Sequence, residues 1–147
     1  MRISVAADER VGVAEAVAPA LRERGHEVTP RGALAASGRP DWAWASEEAA
    51  RDVAEGRSEM AVVCCWTGTG ASIAANKVPG VCAALCADAA TAAGARHWND
   101  ANVLAISLRT TSEPLLGEIL DAWLGAERSA DESDLANISH LGEIGGG

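Results

Sequence analysis

The sequence predicts an α/β fold, a single-domain, doubly wound (Rossmann-like) parallel sheet with helices on both faces. Short apolar runs alternate with helical segments along the chain, and this alternation is typical of such sheets. The strongest apolar run, at residues 61–65, breaks into a glycine-rich turn at 67–70 and continues as an Ala-rich helical segment. The predicted domain covers residues 1–147 and ends in an acidic, polar C-terminal tail at 126–147.

The first half of the chain predicts three strands and two helices. Residues 2–7 form an apolar strand that ends at Asp8, and a stripe that includes Val13, Val17 and Leu21 predicts a helix over 11–24, which Gly25 ends. The remaining predicted elements are a short strand at 26–29, a loop rich in Gly, Pro and Ala at 30–41, a helix at 42–56 capped by Ser46, and the central strand at 61–65.

The second half repeats the alternation. A helix follows the glycine-rich turn and ends at Lys77, and Pro79-Gly80 then forms a turn. The remaining predicted elements are a strand at 81–86, an Ala-rich helix at 88–96, a strand at 102–107 and a helix at 113–124.

Composition excludes several classes of function. The net charge of −9 argues against a nucleic-acid partner, because phosphate backbones require a basic face. No apolar stretch approaches the roughly 18 residues of a membrane span, and the N-terminus begins as a strand with no signal-peptide pattern. The four cysteines, at 64, 65, 82 and 86, lack zinc-site spacing, so we interpret them as reduced thiols of a cytoplasmic protein.

The turn after the central strand is the clearest candidate for chemistry. A strand, a glycine turn and a helix together direct backbone N–H groups and a helix N-terminus toward an anion. Cys65 ends the strand, at the edge of an open α/β sheet where ligands and reactive groups gather. The alternative, an ordinary strand-to-helix turn beside a buried pair of cysteines, has about equal weight on composition alone.

The same segment carries a resemblance to a known family. Residues 65–77 read Cys-x-Thr-Gly-x-Gly-x-Ser-Ile-Ala-Ala-Asn-Lys, which resembles the signature of the ribose-5-phosphate isomerase type B and galactose-6-phosphate isomerase family. Ala7-Asp8 and the segments at 81–86 and 99–105 agree with the family in the same order. The resemblance implies the family's fold and an aldose–ketose isomerisation through an enediolate, which needs a base, an acid and donors for the developing charge.

Site residues follow from this resemblance. It implies that Cys65 is the base that moves the proton, and that Thr67 assists at a substrate oxygen. A thiol can act as a base if a helix N-terminus favours its thiolate. The backbone amides that would hold the enediolate belong to Gly68, Thr69, Gly70, Ala71 and Ser72.

Three more positions match substrate-binding residues of the family. Asp8 and Asn99 match residues that hold sugar hydroxyls, and Arg109 matches a basic residue. Each has a plainer alternative from the residues alone. Asp8 would be a helix cap, Asn99 a turn residue and Arg109 a surface charge.

Several positions depart from the family pattern. Glu9 stands where the family has His, Trp42 where it has Tyr, and Trp66 where it has Gly. The family's ring-opening His is replaced by Trp98, with His97 one position earlier, and an indole cannot take a proton from a hydroxyl. The three tryptophans map around the predicted pocket, unless they fill the core of a chain that has no Phe and no Tyr.

The tail also departs from the family. Residues 131–140 are acidic where the family carries arginines for a substrate phosphate, and carboxylates there should repel a phosphate. We therefore expect an isomerase whose substrate is an altered sugar phosphate or a sugar without phosphate, with no metal or organic cofactor. The resemblance implies a homodimer or homotetramer with sites between subunits.

Two alternatives remain open. The loss of the family's His, Tyr and Arg residues fits a non-catalytic ligand-binding protein or a partner subunit of a hetero-oligomeric isomerase. A different reaction in the same glycine cradle, such as an epimerisation or a lyase reaction, is the third interpretation.

Overall fold

The computed structural model describes residues 1–144 of the chain, as one sheet flanked by helices. A 3₁₀ helix, Gly12–Glu15, precedes the first α-helix. The strands are β1 (Arg2–Ala7), β2 (Glu27–Gly32), β3 (Met60–Cys65), β4 (Ala83–Leu85) and β5 (Val103–Ser107). The α-helices are α1 (Val17–Glu23), α2 (Trp42–Ala54), α3 (Thr69–Asn76), α4 (Ala89–Asn99), α5 (Glu113–Gly125) and α6 (Glu132–Glu143).

All the strand pairs are parallel, in the order β2-β1-β3-β5-β4. Cys65 pairs with Ser107 at the end of β3, and Ala61 pairs with Val103 at its start. The carboxyl ends of the strands therefore share one edge of the sheet, and their amino ends share the opposite edge. The predicted α/β, doubly wound sheet is confirmed.

Two apolar cores lie on the two faces of the sheet, because side chains alternate along a strand. Val62 and Cys64 point into the core formed with α1, α4 and α5. Val63 and Cys65 point into the second core, formed with α2 and α3. Helices on both faces are thus confirmed, and the two adjacent cysteines face opposite layers.

Several predicted boundaries were wrong for local physical reasons. The helix expected at 11–24 is interrupted before Val17, because the ring of Pro19 excludes a continuous helix through the preceding turn. The loop expected at 30–41 begins later, since Pro30 is tolerated on β2 as an edge strand. Ser46 is buried inside α2 and does not cap it.

The strand expected at 81–86 is shorter than predicted. Val81 belongs to the preceding turn, where its N–H donates to the carbonyl of Val78 at 3.1 Å. The carbonyl of Cys82 accepts hydrogen bonds from the N–H groups of both Asn102 and Val103. Regular pairing with β5 therefore begins only at Ala83 and covers the three residues of β4.

The acidic tail contains a helix that the sequence pattern did not indicate. α6 packs against α4 and buries none of its own residues completely, which explains its weak apolar periodicity. Asp131 caps it, accepting from the N–H of Ser133 at 2.9 Å. Residues 145–147 of the predicted tail lie outside the described residues. Between residues 1 and 144, no helix has both the length and the apolar character needed to cross a membrane.

A buried carboxylate ties the first strands together. The side chain of Asp52, in α2, is only 1% exposed and accepts a hydrogen bond from Ser4 at 2.6 Å. Arg31 donates to it through Nε and Nη2 at 2.8 and 2.9 Å, and Arg57 donates at 2.8 Å. Burial by itself would raise the pKa of Asp52, but the hydrogen bonds from Arg31, Ser4 and Arg57 hold it below the ordinary value.

Replacing Asp52 with Asn is expected to destabilise the fold by about 3 kcal/mol at neutral pH, because two arginines lose a buried partner. Since the pKa of Asp52 is lowered in the folded state, its contribution is present above its ordinary value of 3.8 and is lost as the pH falls below it. Urea denaturation of both proteins across pH should therefore show the difference shrinking in acid. Glu47→Gln, which removes a surface ion pair of α2, is the control and should cost less than about 1 kcal/mol. An equal cost for the two variants would contradict this role of Asp52.

Candidate active site

The turn between β3 and α3 places a thiol at the head of a helix. Cys65 is the last residue of β3, and Gly68 turns the chain with φ of +78° before α3 begins at Thr69. The N–H of Ala71 donates to Sγ of Cys65 across 3.4 Å. Sγ of Cys65 therefore lies beside a backbone donor and the N-terminus of α3.

Only Gly fits the turn at Gly68. A Cβ there would lie 2.5 Å from Cδ1 of Leu85 and 2.9 Å from the backbone nitrogen of Ser107. The left-handed backbone is also costly for any residue with a side chain. The turn therefore packs tightly against the ends of β4 and β5, and this packing fixes the position of Cys65 relative to α3.

The neighbouring thiol has different surroundings. Cys64 points into the opposite core, and complete burial raises the pKa of this thiol to about 12. It is therefore neutral at physiological pH and inert as a base. Cys65 is also 95% covered, being 5% exposed, but it meets the first turn of α3.

Hydroxyl and amide donors lie on the turn that follows Cys65. Oγ1 of Thr67 and Oγ1 of Thr69 lie 2.8 Å apart, and both residues are exposed at the surface of the turn. The N–H of Ser72 donates to the carbonyl of Gly68, closing the first turn of α3. The N–H groups of a first helical turn have no intrahelical acceptor, so those of Thr69 and Gly70 are left for a ligand or solvent.

An indole forms one wall of this site. The ring of Trp42 lies over Gly70, where an added Cβ would meet ring atom Cε3 at 2.9 Å. Trp42 also lines a cleft of about 430 Å³ together with Asp8 and Glu9. Burial raises the pKa of Asp8 above its ordinary value, and the adjacent Glu9 carboxylate adds to the shift. Trp42 is 47% exposed, so its indole lies at the surface and does not fill a core.

The loop after β5 lies at the same edge of the sheet as Cys65 and is hydrogen-bonded to the glycine turn. The carbonyl of Trp66 accepts from the N–H of Arg109 at 2.9 Å and from Oγ of Ser107 at 3.1 Å. The indole of Trp66 is 54% exposed, and the Arg109 side chain forms no ion pair within residues 1–144. Arg109 is therefore available as a cation beside the glycine turn.

The remaining predicted site residues lie elsewhere. His97, Trp98 and Asn99 form the last turn of α4, which leads directly into the start of β5. Asn102, just before β5, accepts from Cys82 at the amino edge of the sheet. A five-residue strand is on the order of 15 Å long, so these three residues lie at the opposite edge from Cys65.

His97 is held in one orientation at that edge. Its Nδ1 lies 2.7 Å from the carbonyl oxygen of Glu127, and its own carbonyl accepts from the N–H of Ser129 at 2.8 Å. A carbonyl can only accept, so Nδ1 is the donor and Nε2 carries the free lone pair of the neutral ring. The ring of His97 meets that of Trp98 edge to face, with centroids 6.0 Å apart.

The sequence pattern missed several residues around the predicted site. Leu85 and Ser107 pack closely against the turn at Gly68. The only sequence feature that could have predicted this contact is that both residues lie at strand ends. Asp134, Asn137 and His140 of α6 line a cleft with Trp98 and Asn99. Their helical spacing of three residues was the available signal, but the acidic composition of the segment favoured a tail without structure.

Comparison with known proteins finds a matching family and similar sequences. The sequence model of the Ribose/Galactose Isomerase family matches residues 3–141. The chain is 41% identical over 107 residues to ribose-5-phosphate isomerase B of Escherichia coli, covering 73% of this chain and 71% of the relative. It is 32% identical over 145 residues to the galactose-6-phosphate isomerase subunit LacB of Clostridium acetobutylicum, covering 98% of this chain and 83% of the relative.

A solved structure is similar over almost the whole chain. The structure of ribose-5-phosphate isomerase B of Clostridium thermocellum superposes with a TM-score of 0.87 and 34% sequence identity. The match covers 98% of this chain and 97% of the other. The fold is thus shared over almost the whole chain.

Replacing Gly68 with Ala should destabilise the protein by about 3 kcal/mol, since the left-handed strain adds to the clash with Leu85 and Ser107. The matched control is Gly25→Ala, because Gly25 has φ of +87° but open space around its Cβ position. That control should cost only about 1 kcal/mol. Urea denaturation measures both, and equal costs would contradict the tight fit of the turn.

Proposed function

Because the chain belongs to the ribose/galactose isomerase family, we propose that it interconverts an aldose and a ketose with Cys65 as the proton-transferring base. The supporting observation is the hydrogen bond from Ala71 N–H to Sγ of Cys65 at the head of α3. A thiol with a backbone donor at its sulfur, next to a left-handed glycine turn, fits the removal of a proton from carbon.

The reaction follows from the groups at the turn. The Cys65 thiolate takes the proton from the carbon next to the carbonyl, and the electron pair moves onto the carbonyl oxygen as an enediolate. We assign the stabilisation of that oxygen to the N–H groups of Thr69 and Gly70 and to the hydroxyl of Thr67, which lies 2.8 Å from the hydroxyl of Thr69. The Cys65 thiol then gives the proton to the former carbonyl carbon, while the hydroxyl proton of the adjacent carbon passes to the enediolate oxygen through the Thr67 hydroxyl. The new carbonyl forms at the adjacent carbon, and the overall oxidation state is unchanged.

Substrate hydroxyls are assigned to the cleft beside the turn. Asp8 and Glu9 offer carboxylate acceptors there, and Trp42 offers an indole face to the apolar side of a sugar. Arg109 follows β5, with its backbone N–H bonded to the carbonyl of Trp66, and we assign its cationic side chain to the substrate. The substrate we propose is an altered sugar phosphate or a sugar without phosphate, because residues 129–147 contain no Lys or Arg.

A complete site needs a second copy of the chain. Cys65 and Asn99 belong to opposite edges of one sheet, so one sugar cannot reach both within one chain. In a homodimer with twofold symmetry, the carboxyl edge of one copy meets the amino edge of the other twice, giving two equal sites. The exposed apolar side chains of Ile73 and Leu85, which flank the turn, fit burial in that contact. A homotetramer would pair two such dimers.

A different partner chain is the second candidate. The observation that favours it is Trp98, whose indole cannot replace a ring-opening base. The relative in Clostridium acetobutylicum is named as a subunit, which fits an enzyme made from unlike chains. In that case this chain alone binds a sugar and turns it over only with its partner.

Replacing Cys65 with Ala should lower kcat/KM for aldose–ketose conversion by about a thousandfold, because the base is removed. The matched control is Cys64→Ala, which removes a thiol from the same strand but from the opposite core. Activity is measured by the appearance of ketose from ribose 5-phosphate and from ribose. The base assignment is wrong if the Cys65 variant retains the activity of its Cys64 control.

Mixing two inactive variants tests the shared site. Cys65→Ala chains and Asn99→Ala chains, refolded together at equal amounts, should recover about a quarter of the wild-type activity, because half of the dimers are mixed and each mixed dimer holds one intact site. As the control, Cys65→Ala chains are mixed with chains that carry both substitutions, and these should recover nothing. No recovery in the first mixture, with dimers present, would contradict a site built from two copies.

A further inference from the structure

The side chain of Ser107 lies where the end of β5 meets the turn after Cys65. Ser107 is the last residue of β5, and it pairs with Cys65, the last residue of β3. It is only 9% exposed, and no step of the proposed reaction uses its hydroxyl. A buried hydroxyl beside the reacting thiol therefore needs an explanation of its own.

The hydroxyl of Ser107 joins the turn to the loop after β5. Its Oγ donates to the carbonyl oxygen of Trp66 at 3.1 Å and accepts from the N–H of Thr110 at 3.3 Å. The same Trp66 carbonyl accepts from the N–H of Arg109 at 2.9 Å. A carbonyl oxygen has two lone pairs, so both acceptor positions of Trp66 are used by the loop after β5.

These hydrogen bonds set the orientation of one peptide plane in the turn. The peptide between Trp66 and Thr67 is planar and trans, so the N–H of Thr67 points in the direction opposite to the Trp66 carbonyl. It therefore points away from the loop after β5, and among residues 1–144 it has no hydrogen-bond acceptor. Both the N–H and the hydroxyl of Thr67 are thus left to meet a ligand.

Little else holds this peptide plane in place. The indole of Trp66 is 54% exposed and Thr67 is also exposed, so neither side chain anchors the turn by burial. The tightly packed Gly68 begins only after Thr67. The restraint on the Trp66–Thr67 peptide therefore comes mainly from the two hydrogen bonds to its carbonyl, and Ser107 supplies one of them.

We propose that Ser107 is a positioning residue of the Cys65 site. By holding the Trp66–Thr67 peptide against the loop after β5, its hydroxyl aligns the donors of Thr67 with the substrate oxygen on which negative charge develops. Ser107 itself touches no reacting atom. The inference rests on the proposed function, because it treats Thr67 as the residue that assists at that oxygen. Through the same carbonyl, Ser107 also ties the position of the turn to that of Arg109.

The kinetic test is Ser107→Ala, assayed with ribose 5-phosphate and with ribose. It should lower kcat about tenfold and leave KM within about twofold, because alignment in the transition state is lost while the groups that bind the sugar remain. Ser107→Thr keeps the hydroxyl and should restore kcat. The matched control is Ser58→Ala, which removes an equally buried serine hydroxyl, 2.8 Å from Oγ of Ser4, before the start of β3. It should leave kcat unchanged.

Amide hydrogen exchange, followed by nuclear magnetic resonance without any sugar, measures the positioning directly. In Ser107→Ala the N–H groups of Arg109 and Thr110 should exchange about tenfold faster, because both hydrogen bonds depend on the Ser107 hydroxyl. The N–H of Leu108, which donates to the carbonyl of Cys65 at 2.9 Å, should keep its wild-type rate. Ser58→Ala should change none of the three rates.

The outcomes separate the two proposals. If Cys65→Ala abolishes turnover but Ser107→Ala keeps the wild-type kcat, or Ser107→Thr stays as slow as Ser107→Ala, the positioning role is wrong and the isomerase proposal stands. If neither sugar is converted by the wild type, hydrogen exchange decides the positioning role. Faster exchange confined to Arg109 and Thr110 then supports it, whereas unchanged rates, or an equal effect of Ser58→Ala, overturn it.

Discussion

The left-handed turn at Gly68 is the constraint on which the candidate site depends. It carries the chain from the end of β3 into α3 in the space beneath Leu85 and beside the backbone of Ser107. No side chain fits there, so the register of β3 against β5 and the start of α3 are fixed together. The hydrogen bond between Ala71 and Cys65 follows from that fixed start. The turn follows β3, whose side chains are buried in both apolar cores of the sheet.

The parallel sheet imposes a second constraint. Every strand delivers its carboxyl end to the edge that holds Cys65, while α4 returns the chain to the opposite edge and leaves Trp98 and Asn99 there. One chain therefore presents two half-sites, about one strand length apart. The glycine turn lies beside Cys65 at one edge, and Trp98 and Asn99 line the cleft between α4 and α6 at the other. Association of two copies is the simplest way to bring unlike halves together.

Local patterns were enough to predict the fold class and the turn. Alternating apolar strands, Gly68 and the position of Cys65 at a strand end are all local features, and the structure retains them. The resemblance to the family, carried by residues 65–77, was confirmed by the comparisons. The sequence could not predict whether the tryptophans lie around one pocket. Within one chain, Trp42 lies over Gly70 while Trp98 lies at the other edge of the sheet. Of the tryptophans, Trp123 is the one that fills a core.

Other features depend on contacts that no local pattern contains. Asp52 looks like an ordinary helical carboxylate until Ser4, Arg31 and Arg57 converge on it from three other segments. α6 has weak periodicity because it covers α4 without burying any residue completely, so its cleft residues Asp134 and Asn137 were not predicted. Predicting the break in the first helix would have required knowing where Pro19 lies relative to the preceding turn.

The most direct test of the central claim is solvent exchange during catalysis. The protein is incubated in D₂O with ribose, and separately with ribose 5-phosphate, and the sugars are followed by nuclear magnetic resonance. The Cys65 thiol exchanges its proton with solvent in a fraction of turnovers, so the account predicts partial deuterium at the carbon next to the carbonyl in the product, and the loss of both conversion and labelling in the Cys65→Ala protein. Conversion or deuterium incorporation that persists unchanged in the Cys65→Ala protein would contradict proton transfer through Cys65.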